Sequence, residues 1–260
     1  MIAMSSRHEI YFAVGKYADP NIPAITCCEH DATNLASAFS EIYFKEYGPP
    51  IQTIISTHEE PMTASKIGIL RAFEKAVSRV REDDTLVVTF SGHGAFHQDE
   101  SYWVPHDAAI GTFDSMIPFS WIKTILDRIK CKFRVILIDA CHSGDAKPQF
   151  KGAQNNLSFS ESSTSVRSLV NSSAGLAYGT ACTFSEFAYV APGGNSSVWI
   201  DSLVEFVRGL DVGAPLFVDE LLLRSAIATS ERVRGHFNRT QTPYRVIKAA
   251  GVIPLGFKQP

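Results

Sequence analysis

The chain has 260 residues, 45% of them hydrophobic and 20% charged, with Lys+Arg 24 against Asp+Glu 27 and a formal net charge of −3. Such a chain can bury a large core without disulfide staples, and its balanced charge offers no footprint for nucleic acid. Its longest apolar runs, such as Thr85 to Phe90, fall far short of the roughly 18 residues of a membrane-spanning helix, and Met1 to Arg7 lacks the basic-then-apolar order of a signal peptide.

Short β-rich runs alternate with stretches of helical period, the order of a parallel sheet covered by helices, so the expected class is α/β. Strands are expected at Glu9 to Val14, Ile51 to Ser56, Thr85 to Ser91, Phe133 to Asp139, Gly175 to Gly179 and Tyr244 to Lys248. Helices are expected at Glu29 to Phe44, Ala64 to Arg81, Ser120 to Lys130, Ser197 to Gly209 and Val218 to Arg234. Thr63 is placed to cap the second of these, and Ile67, Leu70, Phe73, Val77 and Val80 form its core-facing stripe. Leu86 to Phe90 and Val135 to Ile138 are apolar on both faces, as central strands are. Between Ser143 and Ser173 nine serines and several amides replace the apolar period, which reads as a mobile loop. No linker divides the chain, so residues 1–260 are read as a single domain.

Two strand ends carry reactive side chains, where ligands gather in an open parallel sheet. One reads Ser91-Gly92-His93-Gly94, with glycines that allow tight turns beside the imidazole; the other reads Asp139-Ala140-Cys141-His142-Ser143-Gly144. Adjacent central strands would bring His93 and Cys141 together across the top of the sheet, although 48 positions separate them. A thiol is only a few per cent thiolate at neutral pH, and an imidazole both activates it and protonates the leaving amine. That pair is the chemistry of a cysteine peptidase. His142, next to Cys141, is read as structural. The five cysteines (Cys27, Cys28, Cys131, Cys141, Cys182) are odd in number and hold no CxxC pair; they are read as free thiols of a cytoplasmic protein.

These two motifs together resemble the caspase-like cysteine peptidases (peptidase family C14), and within them the metacaspase and bacterial caspase-like branch. Asp139 stands where the animal caspase pattern Q-A-C has Gln. Glu9 to Gly15 is similar to the family's first strand, Cys28 to Leu35 to its first helix entry, and Gln241-Thr242-Pro243 to a motif near the end of bacterial members. The resemblance implies a three-layer α/β/α sandwich with a central, mostly parallel sheet of about six strands. It also implies a His93/Cys141 dyad, with backbone N–H groups of Gly94 and Cys141 for the oxyanion; no third side chain is assigned to orient His93. By the same resemblance Cys28, Asp31, Ser91 and Asp139 form the S1 pocket, and an aspartate there favours a basic P1 side chain. The expected substrates are therefore proteins or peptides cleaved after Arg or Lys, with a regulatory or sensor protein as a further partner. The alternative is a catalytically silent binding or scaffold module.

Many metacaspases hold calcium with an Asp-Asp pair between the catalytic strands. The corresponding stretch here is Met116-Ile117-Pro118-Phe119-Ser120, which lacks the carboxylates a six- to eight-coordinate cation needs. Neither a metal nor another cofactor is expected, and Asp99, Glu100, Asp107 and Asp114 are read as solvated loop acids. The serine-rich segment is expected to act as an activation loop, with Lys147, Lys151 and Arg167 as candidate self-cleavage positions.

Overall fold

A computed structural model describes residues 6–57, 60–140, 164–172, 175–183 and 186–260. Cys141, Lys147 and Lys151 lie outside the described residues. In chain order the elements are β1 (Arg7–Ala13), α1 (Cys28–Ser40), β2 (Ile42–Tyr43), β3 (Ile51–Ser56), α2 (Lys66–Val77), β4 (Thr85–Gly92), β5 (Gly94–His97), β6 (Glu100–Trp103), β7 (Ile117–Pro118), α3 (Phe119–Arg128), β8 (Phe133–Ala140), α4 (Thr164–Ser172), β9 (Leu176–Thr180), α5 (Val198–Arg208), β10 (Pro215–Phe217), α6 (Val218–Phe237), β11 (Tyr244–Lys248) and β12 (Pro254–Lys258).

Six strands form the central sheet in the order β11-β9-β8-β4-β1-β3. All neighbours are parallel except β11 with β9. Side chains alternate along a strand, so each central strand feeds two cores. Tyr11, Ala13, Val87, Val135 and Leu137 pack on one face with residues of α1, α5 and α6. Ile10, Phe12, Val88, Phe90, Ile136 and Ile138 pack on the other with residues of α2, α3 and α4. The molecule is thus an α/β/α sandwich with a mostly parallel six-stranded sheet. No helix among the described residues is long and apolar enough to cross a membrane.

The six expected sheet strands all form, while several helices differ from expectation. Instead of running to Phe44, α1 stops at Ser40, because Ile42 and Tyr43 leave the helix to pair with Lys258 and Phe257 of β12. Gly256 permits this: its φ is +137°, and a Cβ there would sit 2.5 Å from Tyr43 Cα, a place no larger residue fits. Ser65, not Thr63, caps α2, its hydroxyl accepting the Gly68 N–H at 3.2 Å. The helix therefore begins two residues later than expected, while Leu70, Phe73, Val77 and Val80 of the expected stripe pack against the core and Ile67 does not. Ile69 and Phe73 are fully buried, whereas Ile67 is 59% exposed. Within the segment expected as a loop, Thr164–Ser172 is helical: Val166 and Leu169, one turn apart, bury themselves in the second core, and Arg167 is exposed on the same helix. The two small sheets, β5-β6-β7 and β10-β12-β2, had no counterpart in the sequence reading, since their strands are only two to five residues long.

A buried charge sits on β1. The carboxylate of Glu9, fully buried, accepts from Arg7 Nε at 2.6 Å, from Tyr11 OH at 2.5 Å and from Gln52 Nε2 at 2.8 Å. Arg7 in turn donates to the carbonyls of Phe39 and Leu255, joining β1 to the end of α1 and to β12. Removing one partner of such a pair leaves the other as an uncompensated buried charge. Arg7→Met should therefore cost about 3–5 kcal/mol of unfolding free energy, read from the urea midpoint. A change below about 1 kcal/mol would show that the pair adds nothing to stability.

Candidate active site

The site gathers at the carboxyl ends of the central strands. β4 and β8 pair with Ser91 opposite Asp139 and Gly92 opposite Ala140. The next residues along the chain are His93 and Cys141. Parity places Ser91 and Asp139 on the same face as Val87, Val135 and Leu137, which is the face covered by α1. There they meet Cys27 and Cys28 at the start of α1, and Ile25, Ala188, Tyr189, Val190 and Ser197, around a cavity with about 330 Å³ of empty space, part of it open to solvent. Three of the four residues expected in the pocket, Cys28, Ser91 and Asp139, line it directly.

Asp31, the fourth, lies one turn into α1 and is 1% exposed. Its carboxylate accepts the Ser196 hydroxyl at 2.5 Å and the Ser197 N–H at 3.0 Å. Burial, and then repulsion by the Asp139 carboxylate, raise its pKa to about 7 against the pull of those two hydrogen bonds. The two carboxyl groups thus interact beside the cavity, Asp139 on its wall and Asp31 buried behind it. The Cys27 thiol is pushed far up by its hydrogen bond with Cys28 and by burial, so it stays a neutral thiol. Sequence reasoning missed Cys27, Ser196 and the loop residues Ala188 to Val190. Ser197 carried a signal only as a helix start, and it does accept the Ile200 N–H as the N-cap of α5. The others carried none, since they join the site through tertiary packing.

His93 is held from two sides. Its Nε2 lies 2.8 Å from the Pro23 carbonyl. A carbonyl only accepts, so Nε2 carries the proton and Nδ1 is the basic nitrogen of the neutral ring. Its backbone N–H donates to the Tyr17 hydroxyl at 2.9 Å, and that hydroxyl donates to the Val14 carbonyl at 2.7 Å. The Tyr17 ring lies 5.1 Å from the imidazole, and burial raises the phenol pKa well above its ordinary value. The orienting partner left unassigned by the sequence is thus a backbone carbonyl, which no residue type announces.

The flanking glycines act differently from expectation, since neither takes a left-handed conformation. A Cβ on Gly92 would approach the Val14 carbonyl and the Phe90 ring at 3.1 Å, so its role is close packing. Gly94 stands opposite Trp103, and the Val104 N–H bonds to the His93 carbonyl at 3.0 Å. That pattern marks a non-hydrogen-bonded pair, in which the Gly94 N–H points away from β6.

Two of the four acids read as solvated are built into the structure. Glu100 accepts the Ser165 hydroxyl at 2.6 Å and the Ser120 N–H at 3.2 Å. Asp107 accepts the Lys66 N–H at 2.7 Å at the start of α2. Among the described residues no three His, Cys, Asp or Glu side chains are disposed to hold a metal ion.

The raised pKa of Asp31 has a definite sign. Because its folded value, about 7, lies above the unfolded value of about 3.9, the associated stability is fully present below about pH 4 and is lost as pH rises to 7. Asp31→Asn should remove this slope and stabilise the unliganded protein at pH 8 by on the order of 2–4 kcal/mol relative to pH 4. Thermal unfolding of both proteins across that range checks it. Equal slopes would place the titration elsewhere.

A family model of the caspase domain, peptidase C14, matches residues 12–243. In three dimensions the chain is similar to caspase-1 from Spodoptera frugiperda, with a TM-score of 0.64 at 13% sequence identity, over 98% of this chain and 92% of that one. A protein from Geobacter sulfurreducens is similar with a TM-score of 0.62 at 14% identity, over 98% of each chain. No curated protein sequence matches the chain.

Proposed function

This chain belongs to the caspase-domain family of peptidase C14, and from that premise we propose that it is a cysteine endopeptidase cleaving after Arg or Lys through His93 and Cys141. The observation that supports the specificity is the buried Asp139 carboxyl group on the pocket wall, with the Asp31 carboxyl group buried behind it and repelled by it, beside the strand end that bears His93. A guanidinium or ammonium group entering there offsets their repulsion and favours the ionised form of Asp31.

In the proposed reaction Nδ1 of His93 takes the proton of the Cys141 thiol, and the thiolate attacks the carbonyl carbon after the basic residue. The oxyanion formed is received by the N–H groups of Gly94 and Cys141. Collapse breaks the C–N bond as the imidazolium returns its proton to the leaving amine. Water, deprotonated by the same imidazole, then releases the acyl group and restores the thiol. The Pro23 carbonyl keeps the ring in the tautomer that this sequence requires and stabilises the imidazolium.

Self-cleavage is assigned to Lys147 or Lys151. Arg167 fits less well, because its peptide bond is held in α4 and a scissile segment must be extended to pair with the cleft.

The test is turnover of peptidyl-Arg, peptidyl-Lys and peptidyl-Asp amides. Cys141→Ala and His93→Ala should abolish cleavage with circular dichroism unchanged, and Asp139→Asn should lower kcat/KM on the Arg substrate by about 2–5 kcal/mol in transition-state binding. Activity should persist in EGTA. Efficient cleavage after aspartate would overturn the pocket assignment, and strong stimulation by calcium would overturn the metal-free reading. Wild-type protein that binds peptidyl-Arg without cleaving it would instead be a silent binding module.

A further inference from the structure

The Gln241-Thr242-Pro243 motif takes no part in the reaction above, yet it is tied to the pocket more closely than to the sheet. Gln241 is 1% exposed and precedes β11, outside the ladder with β9 that begins at Tyr244. Its Oε1 accepts the Tyr189 N–H at 3.0 Å, and its Nε2 donates to the Ala181 carbonyl at 2.8 Å. One partner can only donate and the other can only accept, so the amide orientation is forced. Gln241 is itself anchored: its carbonyl accepts the Ser230 hydroxyl of α6 at 2.8 Å, and Thr242 donates N–H and Oγ1 to the Glu186 carboxylate at 2.6 and 2.9 Å.

From Tyr189 the connection runs straight to the pocket. Its carbonyl accepts the Val198 N–H at 2.9 Å, and the Ala191 N–H donates to the Ser196 carbonyl at 2.7 Å. These two bonds bracket the bridge between Val190 and Ser197. Ser196 and Ser197 are the residues that hold the Asp31 carboxylate. The Tyr189 ring stacks on Phe237 at 4.9 Å, which holds its side chain, whereas Gln241 holds its N–H.

We propose that Gln241 is a positioning residue for substrate: its amide clamps the Ala188–Val190 wall to the end of β9 and, through Ser196 and Ser197, sets the place of Asp31. The inference rests on the pocket reading of the preceding subsection. β9 stays fixed without the clamp, since it pairs with β8 and β11 and the Ala181 N–H donates to the Ile138 carbonyl at 3.0 Å.

The experiment compares wild type, Gln241→Ala and Gln241→Glu on a peptidyl-Arg amide from pH 5 to pH 8, with Tyr189 amide exchange followed in parallel. Gln241→Ala should raise KM about tenfold, the scale of an unsatisfied buried hydrogen bond, with kcat within about threefold. Gln241→Glu separates clamping from mere bulk. A protonated Glu accepts from Tyr189 and donates to Ala181 as Gln does, while an ionised one repels the Ala181 carbonyl and the neighbouring Glu186. Its KM, divided by that of wild type at the same pH, should therefore be near one at pH 5 and rise with pH. An unchanged KM in Gln241→Ala, or a loss confined to kcat, overturns the proposal. If Gln241→Ala fails to fold, a KM ratio for Gln241→Glu that is flat with pH overturns it equally. If wild type does not cleave after Arg or Lys, the pocket reading fails by itself. Tyr189 exchange then decides the clamp: about tenfold faster in Gln241→Ala supports it, and an unchanged rate removes it.

Discussion

The parallel pairing of β4 with β8 fixes everything around the site. Side chains alternate between the two faces of a strand, so a slip of one residue would move Ser91 or Asp139 from the α1 face to the opposite core. The register in which Ser91 faces Asp139 is held by the apolar residues below, Leu86, Val87, Val88 and Phe90 on one strand and Val135 to Ile138 on the other, all within 1% of complete burial. Core packing and pocket composition are therefore a single constraint. The strands that bury the most apolar surface are the ones whose ends carry the polar groups.

Burying two acids at such a place costs stability, and the structure contains that cost locally. Asp31 receives a hydroxyl and a backbone N–H from the stretch leading into α5, and its pKa rises rather than its surroundings opening. The Glu9 network on β1 resolves the same problem differently, with a guanidinium, a phenol and an amide around one carboxylate. Glu9 is met by a permanent cation from its own strand, as a structural charge requires. Asp31 is met by neutral donors, which leaves its proton exchangeable.

Much of this was legible in the sequence, and the part that was not has a physical pattern. Central strands announced themselves because burial on both faces demands uninterrupted apolar runs. His93 and Asp139 stood out because polar residues that directly follow such runs must lie at the sheet's edge. Helix ends were less readable: Thr63 and Ser65 are both good caps, and contacts distant in sequence mark where α2 begins, at Ala64 and Lys66 against His106 and Asp107, and where α1 ends, at Ile42 against Lys258. The Pro23 carbonyl, the Gly94 N–H and the Tyr189 N–H belong to the backbone, which every residue shares, so no pattern of side chains could disclose them. Ser196 joined the site from 165 residues away, a distance over which sequence order says nothing.

That separation bears on how the protein is made. Synthesis is vectorial, and Asp31 leaves the ribosome long before the serines that will hold it. Until residue 196 has emerged, Asp31 lacks the two serine donors and keeps only the nearby Cys27 thiol. Arg7 waits longer still, for a carbonyl 248 residues downstream. A nascent chain can align β1, β3, β4 and β8 while its pocket has only one wall. Completion of the cavity waits for the segment that leads into α5, so a chain arrested before residue 186 would hold most of the central sheet and lack one wall of the pocket.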